Sequence, residues 1–493
     1  MKKIFSNFFR IGCLVLLFTS CKKSYLETSP TGSTASSTVF RTTANALTAL
    51  NGIHRDLYIQ FSGNQDQGGE GSVMINLDML GEDLVMTTAG NGWFNATYQW
   101  QAHRNVNSTT AYYMYAFFYQ IISNANQIIN NVDQSEGPEA DKKWIKGQAQ
   151  IYRGWAYFNL VQIYGKRYDA GTKPNAPAGV PLVLTYTIQG QPRATVEEVY
   201  TQINKDIADA ITNVTGYNRS GDKSQLDVSV AKGIKARVAL TMQDWATAAQ
   251  LASEARTGYT LMSTAQYLQG FNDVTNPEWI WGSHQISDQS TYFYSFFAFM
   301  SANYNSTNIR TNPKAINSTL YDKISTTDVR KQLWDPTGTN TSFPIPPSGV
   351  RKAYMNRKFL AASSSNSIGD LPYMRAAEMY LIEAEARARS GQEPLAQELL
   401  YTLVKARDAN YIKSNNTGPA LINEILLQRR IELWGEGFRF FDLKRLNQPL
   451  DRTSANHQQS LATVLAVPAG DARWEFLFPQ SEINANPAIV QNP

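Results

Sequence analysis

The stretch Gln428–Asn447, QRRIELWGEGFRFFDLKRLN, restricts the possible folds more than any other part of the chain. Arg429, Arg430, Glu432 and Glu436 stand there among Ile431, Leu433, Trp434, Phe438, Phe440, Phe441 and Leu443. Apolar surface this dense has to be buried, and a charge buried with it is destabilising by roughly several kcal/mol unless it is paired. These four charged residues are therefore expected to be ion-paired structural residues joining two helices, rather than ligand contacts.

The same stretch carries a pattern, R-R-x-E-L over Arg429–Leu433 and E-G-x-R-x-F-D-L-x-R over Glu436–Arg445, that resembles the C-terminal signature of the SusD/RagB family. Arg439 and Asp442 belong to that motif and share its structural assignment. Three further strings extend the resemblance: Gly179-Val180-Pro181-Leu182, the run Pro192–Tyr200 (P-R-x-T-V-x-E-V-Y), and the ending Pro479–Pro487 followed by Gln491-Asn492-Pro493. The resemblance implies an outer-membrane nutrient-binding lipoprotein that captures a glycan and delivers it to a SusC-like TonB-dependent transporter. Its RagB side implies peptide binding as the alternative.

The beginning of the chain agrees. Lys2, Lys3 and Arg10 precede an apolar run, Ile11–Phe18, too short to span a bilayer, so residues 1–20 read as a secretory leader. Phe18-Thr19-Ser20-Cys21 resembles a lipobox, with phenylalanine where leucine is usual, which makes Cys21 the expected lipidation site. The plain alternative is a secretory signal with a free thiol. Residues 21–37, rich in Ser, Thr, Pro and Gly, read as a flexible tether, and residues 38–493 as one domain. Without Lys2, Lys3 and Arg10 the net charge of +4 falls to about +1, too little for a nucleic-acid footprint. Cys21 would be the only cysteine left after Cys13 departs, so no internal disulfide is expected.

Helical periodicity dominates the rest. It runs from Val39 to Phe61, from about Asn105 to Val132, and from Pro138 to Tyr164, where Gly165 stops it and Gly154 and Ala156 permit a close helix crossing. Thr195-Val196-Glu197-Glu198 is a capping box ahead of an apolar face that continues to Val214. Two helix pairs follow, Val228–Leu240 with Asp244–Arg256, and Tyr373–Arg389 with Leu395–Arg407. The expected fold is mainly α: tetratricopeptide-like helix hairpins in a curved stack, with short strands and long irregular insertions at about 62–101 and 261–371.

Those insertions are the expected ligand surface, because long ordered loops are usually functional. Sugars present flat C–H patches ringed by hydroxyls, so a site for them needs aromatic faces beside amides and carboxylates. In the first insertion the candidates are Trp93 as a stacking platform with Asn91, Asn95 and Asp83; in the second, Tyr292, Tyr294 and Trp334, with Asn303 and Asn305 near them. The plain alternative for each ring is a place in the core, where Trp279 and Trp281 are assigned. His54, His103, His284 and His457 keep no metal-ligand spacing, and nucleotide, zinc-protease and nucleophile-elbow motifs are absent, so no cofactor, metal or catalysis is expected. A glycoside hydrolase using Glu82 and Asp83 is a weaker reading, since neighbours on a strand point to opposite faces. A protein-binding scaffold is another.

Overall fold

The computed structural model describes residues 39–286 and 293–493. The leader, Cys21, the tether and Tyr292 lie outside the described residues.

Helices make up about half of the fold and the strands are short. Helix α1 (Thr43–Asp56) buries Ala46, Leu50 and Ile53; it starts later than Val39 because Thr42 is extended and its hydroxyl accepts from the Asn45 amide. The first insertion is not irregular throughout. It contains α2 (Gly69–Met79), in which every residue is buried. Gly71 serves packing there, since a Cβ would lie 2.9 Å from the Phe296 side chain.

Helices α3 (Thr109–Asn131) and α4 (Glu139–Tyr164) form an antiparallel pair, the first capped by the Ser108 hydroxyl and the second ended by Gly165. Helix α5 (Val196–Val214) begins at the expected capping box, with Thr195 and Glu198 bonded reciprocally. It lies close on α4 because a Cβ on Gly154 would come within 2.7 Å of Ile207 and one on Gly147 within 2.7 Å of Val214. The two hairpins follow as expected: α6 (Val228–Thr241) with α7 (Trp245–Ala255), and α8 (Ala376–Arg389) with α9 (Glu393–Lys405). Their turns use left-handed residues, Gln243 at φ 61° and Gly391 at φ 76°. Helix α5 packs on α6, α7 on α8, and α8 on α10 (Gly418–Glu432), so the hairpins stack in succession. Helix α11 (Arg439–Arg445) then returns against α2.

The strands join distant segments. In one sheet β1 (Leu84–Met86) pairs antiparallel with β5 (Lys314–Ile316), and β5 continues through β7 (Met355–Asn356) to β6 (Trp334–Asp335). Strands β2 (Ala178–Pro181) and β3 (Arg193–Thr195) hold the extended Gly179–Leu182 segment. Strand β4 (Trp279–Ser283) pairs with β8 (Leu371–Arg375), which seats Trp279 and Trp281 in the core as assigned. Much of the second insertion is core as well: the short helix Phe296–Met300 is buried throughout.

Candidate functional site

The charged motif is a network of buried ion pairs. Glu432, fully buried, takes hydrogen bonds from Arg375 at 3.1 Å, Arg407 at 3.1 Å and Arg330 at 3.2 Å. Glu436 accepts from Arg375 at 2.6 Å and Lys358 at 2.7 Å. Glu278 accepts from Arg375 and Arg407, and Asp328 accepts from Arg330. Burial alone would raise the Glu432 carboxyl, but the guanidinium groups of Arg407, Arg375 and Arg330 hold it well below the ordinary range. A second group forms beside it: Asp442 accepts from Arg429 and Arg445 at 2.7 Å each, and Arg445 also grips Glu385. Burial again opposes ionisation, yet the two arginines keep Asp442 down at about 2.

A third group reaches across the chain to the first insertion. Arg430 donates to Asp83 at 3.0 and 2.5 Å, and Arg439 donates to Glu82. This corrects two assignments. Asp83 is not a ligand contact but a buried ion-pair partner, since a carboxylate taken out of water is held where a guanidinium meets it. Trp334 is core: it is 2% exposed and packs edge-to-face on Trp434 with centroids 5.6 Å apart.

Of the remaining candidates, Asn91, Trp93 and Asn95 share a turn of the first insertion that meets the second. Residues 87–95 lie against 307–313: Thr87 bonds the Pro313 carbonyl, Thr88 the Thr311 carbonyl, and Asn91 Nδ2 reaches Thr307 Oγ1 at 3.0 Å and Asn308 Oδ1 at 3.1 Å. Gly90 and Gly92 take positive φ in this turn. Phe94 anchors it, buried edge-to-face on Phe299 at 5.0 Å. Trp93 stays half-buried, packed against the core on one side and flanked by exposed Asn91 and Gly92. Asn95 Nδ2 closes the turn on the Ala89 carbonyl at 3.1 Å. Tyr294 is half-buried with its carbonyl against Gly68. Asn303 is committed to structure, exchanging bonds of 2.9 and 2.8 Å with the Ala361 backbone. Asn305 is exposed and accepts from Ser348 Oγ at 3.4 Å.

Sequence reasoning missed a groove on α3 lined by Phe61, Tyr112 and Tyr119. It also missed an open cleft of about 990 Å³ lined in part by Arg430, Arg439 and Trp245. The only signal for either was an aromatic or basic residue on a helix flank facing away from the apolar stripe.

Comparison with known proteins places this arrangement. A family model described as "SusD family" matches residues 244–493, half of the chain, and one described as "Starch-binding associating with outer membrane" matches residues 60–240. The chain is 25% identical over 402 residues to SusD-like protein P38 of Formosa agariphila, covering 70% of this chain and 74% of that protein. Its fold matches a SusD-like carbohydrate-binding protein of Bacteroides vulgatus with TM-score 0.79 and 26% identity, over 91% of this chain and 98% of that one. It also matches a laminarin-binding SusD-like protein, with TM-score 0.71, 21% identity and coverage of 92% and 100%. The buried arginine–carboxylate motif and the matches from residue 60 to the C-terminus agree: this chain belongs to the SusD family.

Proposed function

We propose that this protein is a lipid-anchored outer-membrane lipoprotein that captures a glycan without cleaving it and hands it to a SusC-like TonB-dependent transporter. The observation that carries the reading is the turn at 88–95. It holds a large ring, Trp93, half out of the core beside the exposed amide of Asn91, on a loop braced by hydrogen bonds to residues 307–311. Such a platform offers a π-face for sugar C–H bonds, with the exposed Asn91 beside it to accept from a hydroxyl through Oδ1. Membership in a family that includes carbohydrate-binding proteins supports the ligand class. The non-enzymatic reading is supported by Glu82 and Asp83, both held by arginines and so not arranged as an acid and a base across one bond. Cys21 supplies the anchor in this reading.

Calorimetric titration of the mature protein against a panel of oligosaccharides and peptides tests it. Trp93→Ala is expected to keep the melting temperature and to lose most glycan affinity, because binding energy concentrates in a few aromatic anchors. Peptide binding without glycan binding, or reducing ends released by the wild type, would refute it.

A further inference from the structure

A groove of about 420 Å³ runs along the outer flank of α3, within the usual size of small-ligand sites. Ala116 forms its floor, and its small side chain leaves a trough between rings on neighbouring turns of the helix. At one end Tyr112 is 42% exposed, with Phe61 beside it at 6.3 Å between centroids. At the other, Tyr115 and Tyr119 lie 4.5 Å apart, and the Tyr119 hydroxyl is fixed on the Pro181 carbonyl at 2.7 Å. Ser481 and Glu482 from the C-terminal segment form the facing wall, and no lysine or arginine is among the groove's described lining residues. Burial and the nearby Glu482 carboxylate push the Tyr115 hydroxyl up, so it remains a neutral hydrogen-bonding group.

We propose that this groove is a second saccharide site, taking a neutral sugar ring from the same chain that Trp93 holds; it rests on the glycan-binding reading above. The occupant follows from the lining. Tyrosine and phenylalanine faces suit the C–H face of a pyranose, while Glu482 and Ser481 suit its hydroxyl donors. With the Glu482 carboxylate in its wall and no lysine or arginine among its described lining residues, the groove disfavours phosphate, sulfate and uronic acids. The loop that carries Phe61 runs on to Gly68, whose missing side chain makes room for the Tyr294 carbonyl, so the rim of the groove is tied to another of the candidate rings. A long glycan would then be held at two places, which multiplies affinity through effective concentration.

The test is binding of the wild type, Trp93→Ala, Tyr112→Ala, Phe61→Ala and Ala116→Glu to an array of neutral and acidic glycans of graded length. Ala116→Glu blocks the trough while leaving the rings in place, so it decides the matter if a ring variant melts early. Each groove variant is expected to bind long neutral chains about tenfold more weakly and short ones as the wild type does. Groove variants that match the wild type on every length, while Trp93→Ala loses binding, would overturn the second site and leave the first reading standing. Loss of peptide binding in place of glycan binding, or a wild-type dimer in light scattering that Tyr112→Ala dissolves, would also overturn it. A wild type that binds no glycan would remove both readings.

Discussion

Arg375→Met tests the buried charge cluster at its centre. The guanidinium is completely buried between Glu278, Glu432 and Glu436, donating to Glu432 at 3.1 Å and to Glu436 at 2.9 and 2.6 Å. In the wild type four cations, Arg330, Lys358, Arg375 and Arg407, stand against four carboxylates, Asp328, Glu278, Glu432 and Glu436. Methionine fills most of the volume but leaves one negative charge in excess where no water can reach it. Breaking a buried pair from one side costs about 3–5 kcal/mol, and this variant is placed in that range. Against a total stability of about 5–15 kcal/mol that is a large fraction. The melting temperature is a blunt readout, because unfolding entropy of about 2.1 cal/mol/K per residue makes one kcal/mol worth only about 1 °C in a chain this long. Urea titration is therefore the assay. The decisive comparison is the double variant Arg375→Met/Glu436→Gln, which restores the charge balance and is expected to recover at least about 1 kcal/mol over the single one. A single variant costing under about 1 kcal/mol, or a double variant less stable than the sum of both changes, would refute the reasoning.

Arg430→Ala is expected to cost less than the change at Arg375, about 2–3 kcal/mol by urea titration, because Arg430 is partly exposed and Arg439 remains 3.6 Å from Asp83. Cys21→Ala is expected to move the protein out of the membrane fraction and to abolish fatty-acid labelling in fractionated cells. His54 is held neutral by burial, with its pKa lowered to about 4, so its imidazole signals in an NMR titration should shift with a midpoint near that value. A depressed folded-state pKa means protonation favours the unfolded chain. The contribution of this histidine, read as wild type minus His54→Gln, should therefore be flat above pH 6.5 and fall as the pH drops from there towards about 4.

Local chemistry was legible wherever one segment decides its own conformation. The capping box at Thr195, the stop at Gly165 and the hairpin turns at Gln243 and Gly391 each follow from a few neighbouring residues. The errors fall where a residue's role depends on a partner far along the chain. Asp83 sits in a glycine-rich stretch and resembled a loop carboxylate, but its partner is Arg430. The stretch holding Gly69 and Gly71 was expected to be irregular, yet these glycines let α2 lie against Leu57 and Phe296. Trp334 stood in a polar run, and only the packing of Trp434 against it makes it core. At the candidate site the same limit applied: Trp93 and Asn91 were visible as residue types, while the bracing of Asn91 by Thr307 and Asn308 was not.

That bracing connects the motif to the surface it does not touch. Arg430 and Arg439 hold Asp83 and Glu82, and Trp434 Nε1 bonds the Asp83 carbonyl at 2.8 Å. Arg452 adds bonds to the carbonyls of Met79 and Gly81, so residues 79–83 are gripped from the C-terminal part of the chain. The chain leaves this grip directly into β1, whose register with β5 sets Leu84 opposite Ile316 and Met86 opposite Lys314. Asn317 ties the start of that pairing to the Asp83 and Glu82 backbone. Only then does it enter the turn that carries Asn91 and Trp93. A ring that is half out of the core has few contacts of its own to fix it, and a binding platform loses affinity when it must be ordered at the moment of binding. The charged motif fixes residues 79–83, from which the chain runs through β1 into that turn, so on the proposed reading the dense buried charge serves to hold the platform from behind.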